Sequence, residues 1–226
     1  MKIKGKGFFK VVFYMPNIIT AATVAILFSS LFGYPKGPVN DLLMQWNLLE
    51  KPHYFGQDKL ASQIIVAFIQ FWQWYGYTMI VLISGILGIS PDIFEAAEID
   101  GANGFQKFMR VTLPNLKTIM LFTLVTSLIG GLTMFDIPRL YNNGFPDNAT
   151  LTANLFIYKT AFEGKNRYNA AAAASMMLFL IIVVLSAGIF FLLRDKDEVA
   201  VRKAEKARIR DYKRRMREKR REEAGE

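Results

Sequence analysis

Few side chains in this sequence are equipped for covalent or metal chemistry, and those few do not cluster. Its 226 residues include no cysteine and a single histidine, His53. A disulfide framework, a thiolate metal site and a cysteine nucleophile are therefore excluded. A zinc site would need partners for His53 that the chain lacks, and beside Pro52 in a polar connector His53 reads as a surface residue. No Gly-x-x-x-x-Gly-Lys-Ser/Thr phosphate loop occurs, so this chain is not expected to hydrolyse ATP or to be an enzyme. What remains is recognition chemistry. Trp72, Trp74, Tyr75 and Tyr77 carry rings with an apolar body and a polar tip. They are either structural anchors of a membrane helix or a platform for sugar rings, whose C–H faces stack on aromatic faces. Asp136 either faces a polar pathway, as ionisable residues within membranes often do, or caps a helix at the outer edge. Trp74, Tyr77 and Asp136 are thus the candidate pathway residues.

The elements that must position them are membrane spans. Hydrophobic residues make up 52% of the chain and its mean hydropathy is +0.22, but the apolar residues are bunched. Uncharged runs cover 11–35, 60–91, 118–135 and 168–193, each near or above the roughly 18–20 residues that cross a hydrocarbon core as helix. An all-α membrane protein with four spanning helices is expected. The first run is too long for a cleaved signal peptide and lacks a small-residue cleavage site. It carries Pro16, where a kink is tolerated if neighbouring helices satisfy the freed backbone groups. Residues 33–38 form a turn cluster, and 39–49 is amphipathic enough for a short interfacial helix.

The stretch 95–114, EAAEIDGANGFQKFMRVTLP, is acidic and glycine-broken, and it lies between two spans. Ser90-Pro91-Asp92 supplies a helix start, with Pro at a tolerated first-turn position and Asp suited to the positive helix end. A helix is expected from Pro91 to about Ala102, then a bend at Gly101, then a second short helix over 105–111 running into Leu113-Pro114. Two short helices about a glycine make a compact knob. Its pattern, EAA, three residues, Gly, nine residues, an aliphatic residue, one residue, Leu-Pro, resembles the cytoplasmic coupling loop of the permease subunits of binding-protein-dependent ABC importers. Glu95, Ala96, Ala97, Gly101, Val111, Leu113 and Pro114 fall in register, and Asp100 belongs to the same loop. Phe135-Asp136, Thr150, Thr152 and Tyr158-Lys-Thr-Ala161-Phe162 resemble the sugar (maltose-type) permeases of that family, whereas Gly144-Phe145-Pro146 departs from their usual Gly-Gly-Pro turn.

That resemblance implies a type I ABC importer transmembrane-domain fold, spanning 11–193 with the coupling loop at 91–115. It implies that the loop docks on ABC ATPase subunits that bind ATP and Mg in place of this chain. A second permease subunit, an extracellular or periplasmic solute-binding protein and a sugar substrate are implied as further partners. Another small solute, such as an amino acid or a peptide, is the alternative cargo. Members of the family usually have six or more spans, so about two N-terminal spans are expected to be absent from this sequence.

The net charge of +9 is uneven, since half of the 28 Lys and Arg residues follow Leu193. Positive-inside bias puts the tail 194–226 and the basic lead 1–10, with Lys2, Lys4, Lys6 and Lys10, in the cytoplasm of a bacterial-type inner membrane. The connectors 34–59 and 136–167 then face outward. The tail is expected to be a solvated helix or a disordered segment; no recognition module accompanies it, so no specific nucleic-acid partner is expected. A membrane scaffold recruiting a polyanion through this tail is the alternative from a different class. Ala170 to Ala174 open the last span with small residues suited to close helix contact. Asn148-Ala-Thr150 matches a glycosylation sequon to which no role is assigned.

Overall fold

A computed structural model of the chain describes residues 5–164, 166–193 and 208–210. Lys2, Lys4, Lys165 and nearly all of the basic tail lie outside the described residues. Every regular element among those described is helical: α1 Lys6–Ile18, α2 Ala21–Leu31, α3 Pro38–Gln45, α4 Lys59–Leu87, α5 Pro91–Ile99, α6 Gly104–Lys107, α7 Leu113–Asn115, α8 Lys117–Leu132, α9 Asp136–Tyr141, α10 Ala153–Phe162 and α11 Tyr168–Leu193. Three segments are long and apolar enough to cross a membrane: α4, the run Lys117–Tyr141 that joins α8 to α9, and α11. This is a multi-pass membrane architecture, and α11 occupies the expected last span 168–193.

The first span departs from expectation. In place of one helix over 11–35, α1 and α2 meet at an angle of 93°. Pro16 sits inside α1 without ending it; the chain breaks one turn later, where Ile19 is extended and Thr20 caps α2 by accepting a hydrogen bond from the Thr23 amide. A break inside an apolar medium frees backbone carbonyls that water cannot satisfy. Gln73, buried on α4, supplies the missing donor: its Nε2 donates to the Ile19 carbonyl at 3.0 Å. Asn17 Nδ2 returns a bond to the Gln73 carbonyl at 3.3 Å. The break is thus held by a polar latch between α4 and the corner.

The α4 stripe explains why it is the central element. Ser62, Ile65, Val66, Ile69, Gln73 and Gly76 are buried at a spacing that repeats with the helical period. At the lower end of the stripe α1 crosses so closely that a Cβ on Gly76 would lie 1.9 Å from the Phe13 carbonyl oxygen and 2.7 Å from Tyr14 Cα. At the upper end Ile65, Val66 and Ile69 pack with Val24 and Phe28 of α2 and with Ile137 and Tyr141 of α9. That last contact corrects the expectation that 136–167 is wholly an outward connector. α9 continues the run from α8 and packs Ile137 and Tyr141 into the core; Thr152 Oγ1 donates to the Met134 carbonyl at 2.6 Å and Asn154 Nδ2 to the Thr133 carbonyl at 2.6 Å, satisfying the open end of α8. Trp72 joins this core through Phe28 at 5.7 Å between ring centres. α8 and α10 pack on α11, where Ala171 is buried within the expected small-residue stretch.

The other connector is ordered by two polar anchors. Asn40, fully buried on α3, donates to the Gly33 and His53 carbonyls and accepts from the His53 amide at 2.8 Å. Asp58 caps α4 by accepting from the Ala61 amide at 3.0 Å, and that bond holds its carboxyl below the usual range, with His53 adding to the effect. The helix α3 realises the expected interfacial helix in shorter form.

Two substitutions test this frame. Gly76→Ala, forced against the backbone of α1, is expected to destabilise the fold by about 1–3 kcal/mol. Gln73→Leu leaves the Ile19 carbonyl without its donor at a cost of about 1–3 kcal/mol. Thermal unfolding in detergent, followed by tryptophan fluorescence, measures both; unchanged melting of both variants would show that the corner does not depend on α4.

Candidate coupling knob and transmembrane cavity

The acidic stretch folds into two short helical arms. α5 begins at Pro91 with Asp92 in its first turn, where a carboxylate meets the positive helix end. It stops at Gly101, whose φ of +76° is left-handed. The Gly101 amide donates to the Glu98 carbonyl at 3.0 Å and the Ala102 amide to the Ala97 carbonyl at 2.9 Å. This bond pair is the Schellman ending, in which glycine takes the left-handed position at no steric cost. The spacing from Ala97 to Gly101 and Ala102 is therefore what the backbone geometry needs. Asp100, the residue before the turn, is exposed, as are Glu95 and Ala96; Ala97 is half-buried.

The second arm starts with a reciprocal cap. The Gln106 amide donates to Asn103 Oδ1 and the Asn103 amide to Gln106 Oε1, both at 2.9 Å. α6 then widens into a π-helical turn, Phe108–Thr112, that ends at Leu113-Pro114. Pro114 has no amide proton and its ring crowds the carbonyl of the preceding turn, and a widened turn relieves that crowding. The helix expected over 105–111 is thus split between α and π geometry. Lys107 Nζ donates to Glu98 Oε1 at 2.5 Å and ties the second arm to the first. That hydrogen bond, followed by the attraction of the lysine charge, pulls the Glu98 carboxyl below its usual 4.5. Ile99 and Phe105 stand out at the bend, 87% and 70% exposed.

Above the knob, α4 and α8 close on each other at Gly85, where a Cβ would lie 2.4 Å from Ile119 Cδ1, and two spaces open between them. The lower, near 820 Å³, is bordered by Ser84, Gly85 and Ser90 on one side, Asn115 and Ile119 on the other, and Ile93 of α5. The first arm therefore contributes directly to the seam between the two spans. The upper space, near 580 Å³, lies at mid-span against Trp74, Tyr75, Tyr77, Thr123, Thr126 and Ser127. Trp74 and Tyr77 meet edge to face at 6.0 Å.

The sequence-identified residues are divided by this geometry. Glu95, Ala96, Ala97, Asp100 and Gly101 share the first arm and its turn, and Leu113 and Pro114 close the second. Trp74 and Tyr77 reach the mid-span cavity together, whereas Trp72 is turned into the core. Asp136 is exposed in the first turn of α9 and does not border the cavity. Beside it, Arg139 lies 4.0 Å over the Tyr158 ring and pairs with Glu163 at 2.7 Å, while Phe135 and Tyr158 are 5.0 Å apart. Thr150, buried, donates to Asn142 Oδ1 at 2.7 Å, so the apparent sequon is a structural turn.

Sequence reasoning missed the threonine side of the cavity and three residues of the knob. Asn103 and Gln106 had a readable signal, a capping residue followed three positions later by Gln. Lys107 had none, since its pairing with Glu98 follows neither helical spacing nor strand alternation.

Residues 3–195 match the profile of a family described as binding-protein-dependent transport system inner membrane component. The chain is 34% identical over 165 residues to the lactose transport system permease protein of Rhizobium radiobacter, covering 71% of this chain and 54% of that relative. It is 33% identical over 174 residues to the multiple sugar-binding transport system permease protein of Streptococcus mutans, covering 75% and 57%. The chain thus spans about half the length of these relatives. A crystal structure of a bacterial alginate ABC transporter, in complex with an alginate pentasaccharide-bound periplasmic protein, superposes with a TM-score of 0.74 at 26% identity, covering 85% of this chain and 67% of that one. A second, of a bacterial ABC transporter involved in import of the acidic polysaccharide alginate, gives 0.69 at 25% identity, covering 85% and 68%.

Two measurements probe the knob. Because nothing lies within 4 Å of a Cβ at Gly101, the penalty of substitution there is conformational. Gly101→Val is expected to cost about 1–2 kcal/mol and to expose 91–115 to protease, while Gly101→Asn, which tolerates the left-handed conformation, keeps the protection; equal loss in both would remove the turn from the explanation. The depressed Glu98 carboxyl stabilises the knob above pH 4.5, and that stabilisation is lost as pH falls through its lower folded value. Hydrogen-exchange protection of 91–115, measured against the intrinsic rate at each pH, should accordingly fall in acid below pH 4.5, and Glu98→Gln should flatten that fall.

Proposed function

The chain belongs to the family of binding-protein-dependent transport system inner membrane components, and from that premise we propose that it is a membrane-spanning permease subunit of an ATP-driven importer for a sugar or oligosaccharide. One observation carries the proposal: the acidic knob is continuous with both helices that border the aromatic mid-span cavity. α5 follows α4 after a short turn, and the second arm runs through Leu113-Pro114 into α8. A push on the knob reaches α4 and α8 together.

In this reading an external solute-binding protein delivers the sugar to the outward-open spans. Two ATPase subunits close on ATP and Mg, which they bind and this chain does not. Glu95, Ala96, Ala97, Asp100 and Gly101, with Leu113 and Pro114, form the docked element, and a second permease subunit completes the pathway. The knob suits the task because discrete rearrangement of packed elements transmits movement over distance. Its two arms are locked by the Gly101 turn, the Asn103 and Gln106 cap and the Glu98 to Lys107 bond. The exposed Ile99 and Phe105 are the apolar contacts such docking would bury.

The sugar assignment draws on Trp74 and Tyr77, whose perpendicular rings form a corner beside hydroxyl side chains. The named sugar-system relatives support the same cargo class. Asp136, exposed on α9, fits the outer-edge role better than a place in the pathway. The membrane orientation follows from the charge distribution, with knob and both termini cytoplasmic. Non-enzymatic transport is the role of the family; energy enters through the partner subunits.

Cysteine cross-linking tests the coupling in a chain with no native cysteine. Ala96→Cys, exposed on the first arm, is expected to cross-link to a co-expressed ABC ATPase subunit carrying a cysteine in its permease-facing groove, with a yield that changes at least severalfold on adding ATP. No cross-link at either state in a correctly inserted full assembly would sink the coupling role.

A further inference from the structure

Resting on the saccharide-permease reading, we infer that the mid-span cavity between α4 and α8 admits neutral saccharides and disfavours acidic ones. The lack of a cation among the described residues that border it sets this preference. Thr123 Oγ1 donates its proton to the Met120 carbonyl at 2.9 Å. Thr126 Oγ1 shares its proton between the Phe122 and Thr123 carbonyls at 2.9 and 3.1 Å. A hydroxyl has one proton to give and two lone pairs to offer. With their protons committed to the α8 backbone, these two hydroxyls have only acceptor lone pairs left to offer, whereas Gln70, Thr78 and Ser127 on the same border carry donors. A neutral sugar, whose hydroxyls both donate and accept, can use such a mixed wall fully, whereas a uronate carboxylate is only an acceptor and gains nothing from these two threonines.

Charge points the same way. Among the described residues that border the cavity, none is ionisable to a cation; the polar ones are amide, hydroxyl, phenol and indole groups. Taking a carboxylate out of water without a cationic partner is far more costly than taking a hydroxyl that finds an acceptor. Two connector cations have partners of their own, Arg139 over Tyr158 and against Glu163, and Lys59 with Asp147 at 3.0 Å. The next charge along the chain after the cavity residues of α8 is Asp136, of the same sign as a uronate.

The Trp74 and Tyr77 corner supplies the attraction that remains. Aromatic faces take the C–H faces of a saccharide whatever its charge, so they set affinity for sugar rings while the lack of a cation sets which rings enter. The solved neighbour that imports an acidic polysaccharide shares the helical frame at 25% identity. A common frame leaves this selectivity to a few side chains.

The test uses the assembled transporter, this chain with its partner permease and ATPase subunits, in lipid nanodiscs. Lactose and arabinotriose are the neutral probes and an alginate trisaccharide the acidic one, each titrated while intrinsic tryptophan fluorescence is read. Trp74→Phe assigns the signal to the cavity, and Ser127→Arg adds a cation to its wall. At least one neutral sugar is expected to bind about tenfold or more tightly than the alginate trisaccharide. That signal should vanish in Trp74→Phe, and Ser127→Arg should narrow or reverse the preference at low salt, where charge is least screened. Equal or tighter binding of the alginate trisaccharide in the unsubstituted cavity overturns the inference. If no saccharide of either class alters the Trp74 signal while the Ala96 cross-link still responds to ATP, the sugar reading itself falls and takes this inference with it.

Discussion

A broken helix inside an apolar medium must find hydrogen-bond partners for the groups that it frees, and that requirement organises this protein. The chain turns by 93° between α1 and α2, and the carbonyl exposed at Ile19 is satisfied by Gln73 from the middle of α4. Hydrophobic burial gives little reason for helices to associate when lipid is as apolar as leucine, so polar bonds and close packing have to do it. Both meet on one face of α4. Gln73 holds the corner, and one turn further on Gly76 lets the α1 backbone touch α4. The corner in turn sends α2 to the upper end of α4, where it packs with α9.

With one face of α4 committed to α1, α2 and α9, its other face is left for α8, and that division creates the cavity. Trp72 falls on the committed face and packs with Phe28; Trp74 and Tyr77 fall on the open one. The same helix therefore uses its aromatic residues for two purposes. α8 is held in turn by α11 on one side and, at its end, by Thr152 and Asn154. The space between α4 and α8 is bounded by helices that are each fixed from behind, so movement there comes most readily from the end at which both meet the knob.

The knob combines rigidity with exposure. Its turn is satisfied by backbone bonds about Gly101, its second arm by the Asn103 and Gln106 cap, and the two arms by Glu98 and Lys107. These bonds are all internal, which leaves Glu95, Ala96, Ile99, Asp100 and Phe105 facing outward. Ile93 reaches the seam between the spans, so the part that faces a partner and the part that touches the spans belong to one helix.

The sequence alone determined the number and length of the apolar segments, since the thickness of a hydrocarbon core fixes how many residues a span needs. It also determined the knob's bend at Gly101 and its start at Pro91, because those depend on local backbone preferences. Even the α5 boundaries were readable to within a few residues. The break at Ile19 and Thr20 was not, for its partner Gln73 lies 54 residues away, and Pro16 marked the wrong turn. The burial of α9 was hidden likewise, since Ile137 and Tyr141 pack against residues of α2 and α4 that lie far back in the chain. Which aromatic residues border a cavity and which fill a core was beyond sequence as well: neighbours on a helix point in different directions, and only the packing of α1, α2, α8 and α9 around α4 decided which of those directions was left open.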